Sequence, residues 1–266
     1  MRLIRNIGLI AFTFLSHIGF AQSHSTGFLD RVLTIDGKEY RYQVYVPAQY
    51  DGSVRFPAIL FLHGAGERGS DGIHQTTVGL GPAIRRDHSR FPAIVVFPQA
   101  PTGSSAGTYW DGPAADLAMA SLQKTMKEFQ IDRDRIYLTG LSMGGRGTWY
   151  LAYRHPELFA AVVPICGWVI DPAELKGLVP VVPETDGDPM QALTRKLSHT
   201  PVWVFHGEMD DVIPVDWSRK PVEALKANGQ NLKYTEHLGL DHNSWDATFA
   251  SKIFIDWLFA QRRHQP

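Results

Sequence analysis

Arg135-Ile136-Tyr137-Leu138-Thr139-Gly140-Leu141-Ser142-Met143-Gly144-Gly145-Arg146-Gly147-Thr148-Trp149-Tyr150-Leu151 is the stretch on which the reading of this chain turns. Its first part is a short apolar run without alternation, as expected of a strand buried on both faces of a parallel sheet. Its last part opens a segment, 144–153, that is long enough and of the right composition for a helix. Between them stands Gly140-x-Ser142-x-Gly144. A serine held on a sharp strand-to-helix turn forces its neighbours against adjacent chain, so residues two before and two after it must be small. The same five letters also occur as an incidental glycine-rich turn. Their position between a strand and a helix makes Ser142 a candidate nucleophile.

Working outward, similar runs recur at 58–62, 93–97, 160–165 and 202–205, and 232–237 reads as a further strand. Helical stretches at 116–129, 217–227 and 247–260 lie among them. Strands alternating with helices imply an α/β fold, a doubly wound and mostly parallel sheet. The beginning of the chain differs. Val32, Tyr40, Tyr42, Val44 and Val46 sit in alternating runs around Asp36-Gly37, a tight-turn signal for an antiparallel N-terminal hairpin. No repeat or linker divides 22–266, which is expected to form a single domain. The stretch 168–199 fits the alternation least, with Pro172, Pro180, Pro183, Pro189 and a polar patch at 184–188. It reads as an irregular insertion, either a lid beside a site or a passive surface excursion.

The charge balance, 26 Lys and Arg against 27 Asp and Glu in 266 residues, supplies no field for a polyanion and argues against nucleic acid as a partner. Cys166 is the only cysteine, so no intramolecular disulfide forms, and its place after the run 160–165 suits a small buried hydrophobe rather than a nucleophile. Arg2 and Arg5 precede an apolar stretch at 7–20, and Gly19 and Ala21 put small residues at the −3 and −1 positions of a cut. This is the layout of a cleavable secretory signal peptide over 1–21, cut after Ala21, and it predicts a secreted or periplasmic protein. The run is too short, and too interrupted by Ser16, His17 and Gly19, for a comfortable span; an uncleaved anchor is the competing reading. After removal no stable membrane insertion is expected.

Serine is a weak nucleophile and needs a base oriented by an acid. On sheets carrying such a turn, the partners follow in the order serine, acid, histidine. The run 202–205 leads into His206-Gly207-Glu208-Met209-Asp210-Asp211-Val212-Ile213-Pro214, and a carboxylate just past a strand's C-terminal end lies where open α/β sheets place their sites. Asp210 and Asp211 both qualify on these grounds. After 232–237 comes Gly239-Leu240-Asp241-His242-Asn243-Ser244-Trp245, with His242 in a polar loop, last in order. His63 and His206 each precede a glycine at a strand end, where packing or turn roles are plausible, and His237 belongs to the strand itself.

The oxyanion formed during attack needs backbone N–H donors from the residue after the nucleophile, Met143, and from an earlier loop, His63-Gly64-Ala65-Gly66-Glu67-Arg68-Gly69. Gly64-x-Gly66-x-x-Gly69 also matches a dinucleotide fingerprint. That reading fails because Ser70-Asp71-Gly72 interrupts the required helix and the next strand ends in Pro98-Gln99 without an acid. No metal-ligand spacing of the His-Glu-x-x-His type occurs, so neither metal nor cofactor is expected.

Taken together, His63 to Gly69, Gly140-Leu141-Ser142-Met143-Gly144-Gly145, His206-Gly207-Glu208-Met209-Asp210 and Asp241-His242-Asn243-Ser244-Trp245 resemble the bacterial "predicted peptidase" and phospholipase/carboxylesterase-like branch of the α/β-hydrolase superfamily. That branch is related to dienelactone hydrolases, polyhydroxybutyrate depolymerases and feruloyl esterases. The resemblance covers essentially all of 22–266. It implies Asp210 as the acid, followed by Ile213-Pro214, with Asp211 as runner-up, and Ala65 as the first oxyanion donor. It also implies a catalytic Ser142, Asp210 and His242, an acyl-serine mechanism and no cofactor. The expected substrates are short acyl or aryl esters, free or polymer-linked, including feruloyl or acetyl esters of polysaccharides. Trp110, Trp168 and Trp245 fall near the site in sequence order and read either as aromatic pocket walls or as packing residues. A serine peptidase of the same fold, and a non-catalytic binding protein on that fold, are the alternatives.

Overall fold

Asp36 and Gly37 both take positive φ, 50° and 76°, the backbone that lets a two-residue turn match the twist of its flanking strands. β1 (Gly27–Ile35) therefore folds back on β2 (Lys38–Val46) in antiparallel register. The computed structural model describes residues 25–103, 107–172, 175, 177–230 and 232–263; the signal peptide expected over 1–21 lies outside them.

The other strands are β3 (Phe56–Leu62), β4 (Ile94–Phe97), β5 (Ile131–Leu141), β6 (Ala161–Ile165), β7 (Val202–Gly207) and β8 (Leu232–His237). They form one sheet in the order β1-β2-β4-β3-β5-β6-β7-β8. β2 meets β4 antiparallel, and every later pairing is parallel. This is the α/β-hydrolase architecture expected from the sequence, with its antiparallel entry. Side chains alternate between faces, so the unalternated runs feed two cores. Leu60, Leu138, Val162 and Val204 face one, with Trp149, Leu193 and Leu225; Ile59, Phe61, Tyr137, Val163 and Phe205 face the other, with Ile84, Phe249 and Phe254.

The helices are α1 (Leu80–Arg86), α2 (Gly112–Glu128), α3 (Met143–Arg154), α4 (Pro189–Lys196), α5 (Asp216–Ala227), α6 (Trp245–Ala250) and α7 (Lys252–Ala260). Among the described residues none is long and apolar enough to cross a membrane. Several differ from the sequence reading; α2, for one, begins at Gly112 rather than at 116. The stretch 247–260 is two helices, broken at Ser251, whose extended backbone and hydroxyl cap the Phe254 N–H of α7. α1 lies where the sequence reading placed no helix, with Pro82 in its first turn, where a proline costs no hydrogen bond. Within 168–199, Asp188 caps the Gln191 N–H at 2.9 Å and Pro189 opens α4, the usual N-terminal pairing of cap and proline.

Of the rest of 168–199, Asp171, Val179 and Val181 form a strap bonded to arginines of α3. Arg146 of α3 is fully buried; its Nη2 donates to Asp171 Oδ2 at 2.7 Å and to the Val179 carbonyl at 2.8 Å. Leu178, Val181 and Val182 of the same strap are buried. Its attachment explains why the helix behind the serine is enclosed nearly all round.

Candidate active site

Ser142 stands at the tip between β5 and α3, with φ 54° and ψ −120°. For a side-chain-bearing residue this backbone costs about 1–3 kcal/mol and persists only where its surroundings over-determine it. Here they do. The Ser142 N–H donates to the Ile165 carbonyl at 2.9 Å, and the neighbouring chain closes around the turn. A Cβ on Gly144 would lie 2.0 Å from the Leu62 carbonyl oxygen, and one on Gly140 2.4 Å from that of Gly144. The small residues flanking the serine are thus demanded by contact with β3 and with each other.

His242 Nε2 lies 3.0 Å from Ser142 Oγ, and His242 Nδ1 lies 2.7 Å from Asp210 Oδ2. Asp210 comes from the loop after β7 and its carboxylate is fully shielded, whereas Asp211 is exposed. Asp210 Oδ1 accepts the Val212 and Ile213 N–H groups at 2.9 and 2.8 Å. Burial pushes its carboxyl up, but hydrogen bonds from His206, His242 and the Ile213 N–H outweigh that and hold it well below the usual carboxylate range. The geometry brings together Asp210, not Asp211, with His242 and Ser142.

The loop carrying His242 is stitched to the loop carrying Asp210. The Glu208 N–H donates to the His237 carbonyl at 3.0 Å and the Met209 N–H to that of Leu240 at 2.9 Å. A Cβ on Gly207 would lie 2.1 Å from the Asp241 carbonyl oxygen. Glycine after His206 is what allows the His242 loop to cross there.

On the other side of the serine, Ala65 opens a short 3-10 turn (Ala65–Glu67) and Met143 opens α3. First-turn N–H groups have no acceptor inside their own helix, and the positive end of α3 adds to the field at Ser142. His63 fixes the peptide that carries the Ala65 N–H. Its Nε2 accepts the Ala100 N–H at 3.0 Å, so the proton sits on Nδ1, which donates to the Gly64 carbonyl at 2.6 Å. In a trans peptide the Ala65 N–H points opposite that carbonyl. Burial pushes the His63 pKa down to about 3, so the ring stays neutral.

Trp110 is fully buried; its Nε1 donates to the His63 carbonyl at 2.8 Å, and its ring occupies the space a Cβ on Gly147 would need. Trp168 is buried too, its Nε1 donating to Asp171 Oδ1 at 3.0 Å and its ring edge-on to Trp217. Both hold the scaffold of the site. Trp245 alone of the three lies partly open beside the base, with its ring 5.3 Å from that of His242 at 87°.

Sequence reasoning gave no functional part to Gln99 and Arg146, and only turn or packing parts to His63 and His206. Gln99 is buried and ties the oxyanion loop, donating to the Glu67 carbonyl at 3.1 Å and accepting the Gly72 N–H at 2.8 Å. A polar residue immediately past a buried strand was the available signal. Among the described residues, Cys166, Asp210 and His242 are the set whose ligand-type atoms lie within 4.8 Å of one another. The imidazole and carboxylate are spent on each other and on Ser142, and burial pushes the Cys166 thiol up so that it stays protonated. The arrangement suits proton transfer better than metal ligation.

A family model described as putative esterase matches residues 34–241. The chain belongs to this putative esterase family. A solved thermostable esterase superposes with a TM-score of 0.74 at 33% identity, over 89% of this chain and 63% of that one. A ferulic acid esterase of the anaerobic fungus Anaeromyces mucronatus shares the fold, with a TM-score of 0.64 at 18% identity over 90% and 92% of the two chains. An uncharacterized secreted protein of Arthroderma benhamiae is 28% identical over 214 residues, 72% of this chain and 22% of its own length. The chain thus spans under two thirds of that thermostable esterase and about a fifth of that secreted relative.

Proposed function

We propose that this chain is a secreted serine esterase that cleaves carboxylic esters through an acyl-serine intermediate. The observation that carries the reading is the unbroken series Ser142 Oγ, His242 Nε2, His242 Nδ1, Asp210 Oδ2, at 3.0 and 2.7 Å. As Ser142 Oγ attacks the ester carbonyl carbon, His242 Nε2 takes its proton, and Asp210 stabilises the imidazolium. The carbonyl electron pair moves onto oxygen, where the Ala65 and Met143 N–H groups receive it; one such donor is worth about 3–4 kcal/mol in comparable sites. The imidazolium then protonates the departing alkoxide, leaving an acyl-serine. Water activated by His242 attacks that ester in turn, and the acid departs with Ser142 restored. No step calls for a cofactor.

Short acyl and aryl esters, including feruloyl or acetyl groups on polysaccharides, are the substrates we assign. The partly open Trp245 ring beside His242 supplies a flat apolar wall for such a group. Secretion is supported by the residues at 1–21 and by the description of the Arthroderma benhamiae relative as secreted. The test is hydrolysis of p-nitrophenyl acetate and of methyl ferulate by the purified chain. Turnover of at least one, lost in Ser142→Ala, is the expected result. Undiminished turnover in that variant overturns the reading.

A further inference from the structure

A second histidine stands behind Asp210. His206, the fifth residue of β7, is completely buried. Its Nε2 lies 3.1 Å from Asp210 Oδ2 and 2.9 Å from the Ile213 carbonyl oxygen. Both are acceptors, so Nε2 carries the proton and shares it between them. Its Nδ1 lies 2.7 Å from Ser218 Oγ in the first turn of α5, and that hydroxyl donates to it. A neutral imidazole thus satisfies both ring nitrogens. Asp210 Oδ2, the oxygen that holds His242, therefore takes a donor from each of two rings.

We infer that His206 is a positioning residue of the proposed reaction: by donating to Asp210 Oδ2 it fixes the rotation of the carboxylate and moderates its pull on the His242 imidazolium. The inference rests on Ser142, His242 and Asp210 acting as proposed above. Ser218 Oγ also stands 3.3 Å from the Gly167 carbonyl; with its one proton used on His206 Nδ1, this is a packing contact. Gly167 packs on the backbone of α3, where a Cβ on Gly145 would lie 2.8 Å from the Gly167 Cα. The residues behind the acid are thereby packed against the helix that carries the nucleophile.

The ionisable groups around His206 come from four directions. Asp210 lies in the loop that follows β7, and His242 lies beyond that carboxylate. Glu236 on β8 stands opposite it in register, already paired with Arg219 of α5 at 2.6 Å. Cys166, at the end of β6, is kept neutral by burial. With Asp210 as the direct charged partner, removing the His206 donor leaves Oδ2 to His242 alone. The imidazolium is then held more tightly, and the acid limb of kcat/KM moves to higher pH.

Three variants read this out. His206→Phe keeps a ring of similar size and removes both the Nε2 donor and the Nδ1 acceptor. His206→Gln places an amide nitrogen near the Nε2 position, and His206→Asn places one near Nδ1. On p-nitrophenyl acetate, His206→Phe is expected to lower kcat about 10²-fold with KM little changed, and to shift the acid limb upward by about 0.5. His206→Gln recovers most of both effects, and His206→Asn does not. Equal activity and an unmoved limb in folded His206→Gln and His206→Asn overturn the inference, whether or not His206→Phe folds. Ser142→Ala is run beside them: turnover surviving there sinks the serine reading itself, whereas its loss with indifferent His206 variants sinks only the role of His206.

Discussion

At the scale of single residues, what surrounds each carboxylate favours Asp210 over Asp211 as the acid of the proposed reaction. Asp210 takes two backbone N–H groups on one oxygen and two imidazoles on the other, and Asp211 is exposed. Asp210→Asn presents an amide where His242 Nδ1–H needs an acceptor and favours the wrong tautomer. It is expected to lower kcat about 10⁴-fold, while Asp211→Asn stays close to the parent; steady-state kinetics on one ester suffices, and the reverse order would move the acid to Asp211. Chain order and spacing singled out Ser142 and His242 as candidates, whereas only the family resemblance preferred Asp210 to Asp211; the structure places the three side chains within hydrogen-bond reach. His206 and His63 were not singled out, since a histidine before a glycine at a strand end has the same letters whether it braces a carboxylate or fills a turn. Only the positions of Asp210 Oδ2 and the Gly64 carbonyl separate these cases.

At the scale of elements, the turn, loops and strap around Ser142 are held by contacts that admit no extra atoms. Gly207→Ala must displace the Asp241 carbonyl, which a Cβ would approach to 2.1 Å, and His242 is the next residue along. The expected outcome is a loss of kcat about 10²-fold or more in a chain whose circular dichroism is unchanged; full activity would show that the loop is free to move. The strap over α3 is tied through Arg146. Removing one partner of a buried pair leaves the other uncompensated, so Arg146→Ala is expected to cost about 3–5 kcal/mol, read as a lowered urea midpoint. A change within about 0.5 kcal/mol, the range of an ordinary surface substitution, would contradict a buried role. The strands were readable from unalternated apolar runs. The strap was less so, because its order comes from Arg146, Asp111 and Asp171, which are distant in sequence and have no period; Asp111, for instance, accepts the Val179 N–H at 2.8 Å.

At the scale of the whole molecule, buried neutral histidines couple stability to acid. The folded state refuses a proton on His63 until about pH 3, whereas the unfolded chain accepts it below about pH 6.5. Stability from this group is therefore whole above about pH 6.5 and is lost as pH falls towards 3, by about 1.4 kcal/mol for each pH unit. Burial lowers His155 and His237 as well, with the same sign, and the depressed Asp210 adds to the loss below about pH 4. Urea midpoints at pH 7 and pH 5 are expected to differ, with the lower one at pH 5. His63→Asn, which keeps a donor for the Gly64 carbonyl, reduces that difference; an unaltered difference would mean that His63 is not the group responsible.

All three scales converge on one atom, Ser142 Oγ, held by a left-handed backbone beside His242. The most direct measurement is the mass of the intact chain, and of its peptides, after treatment with a fluorophosphonate. One adduct per chain on the peptide containing Ser142, absent from Ser142→Ala and slowed in Asp210→Asn, is the predicted result. An adduct elsewhere, or equal labelling of Ser142→Ala, would contradict the account.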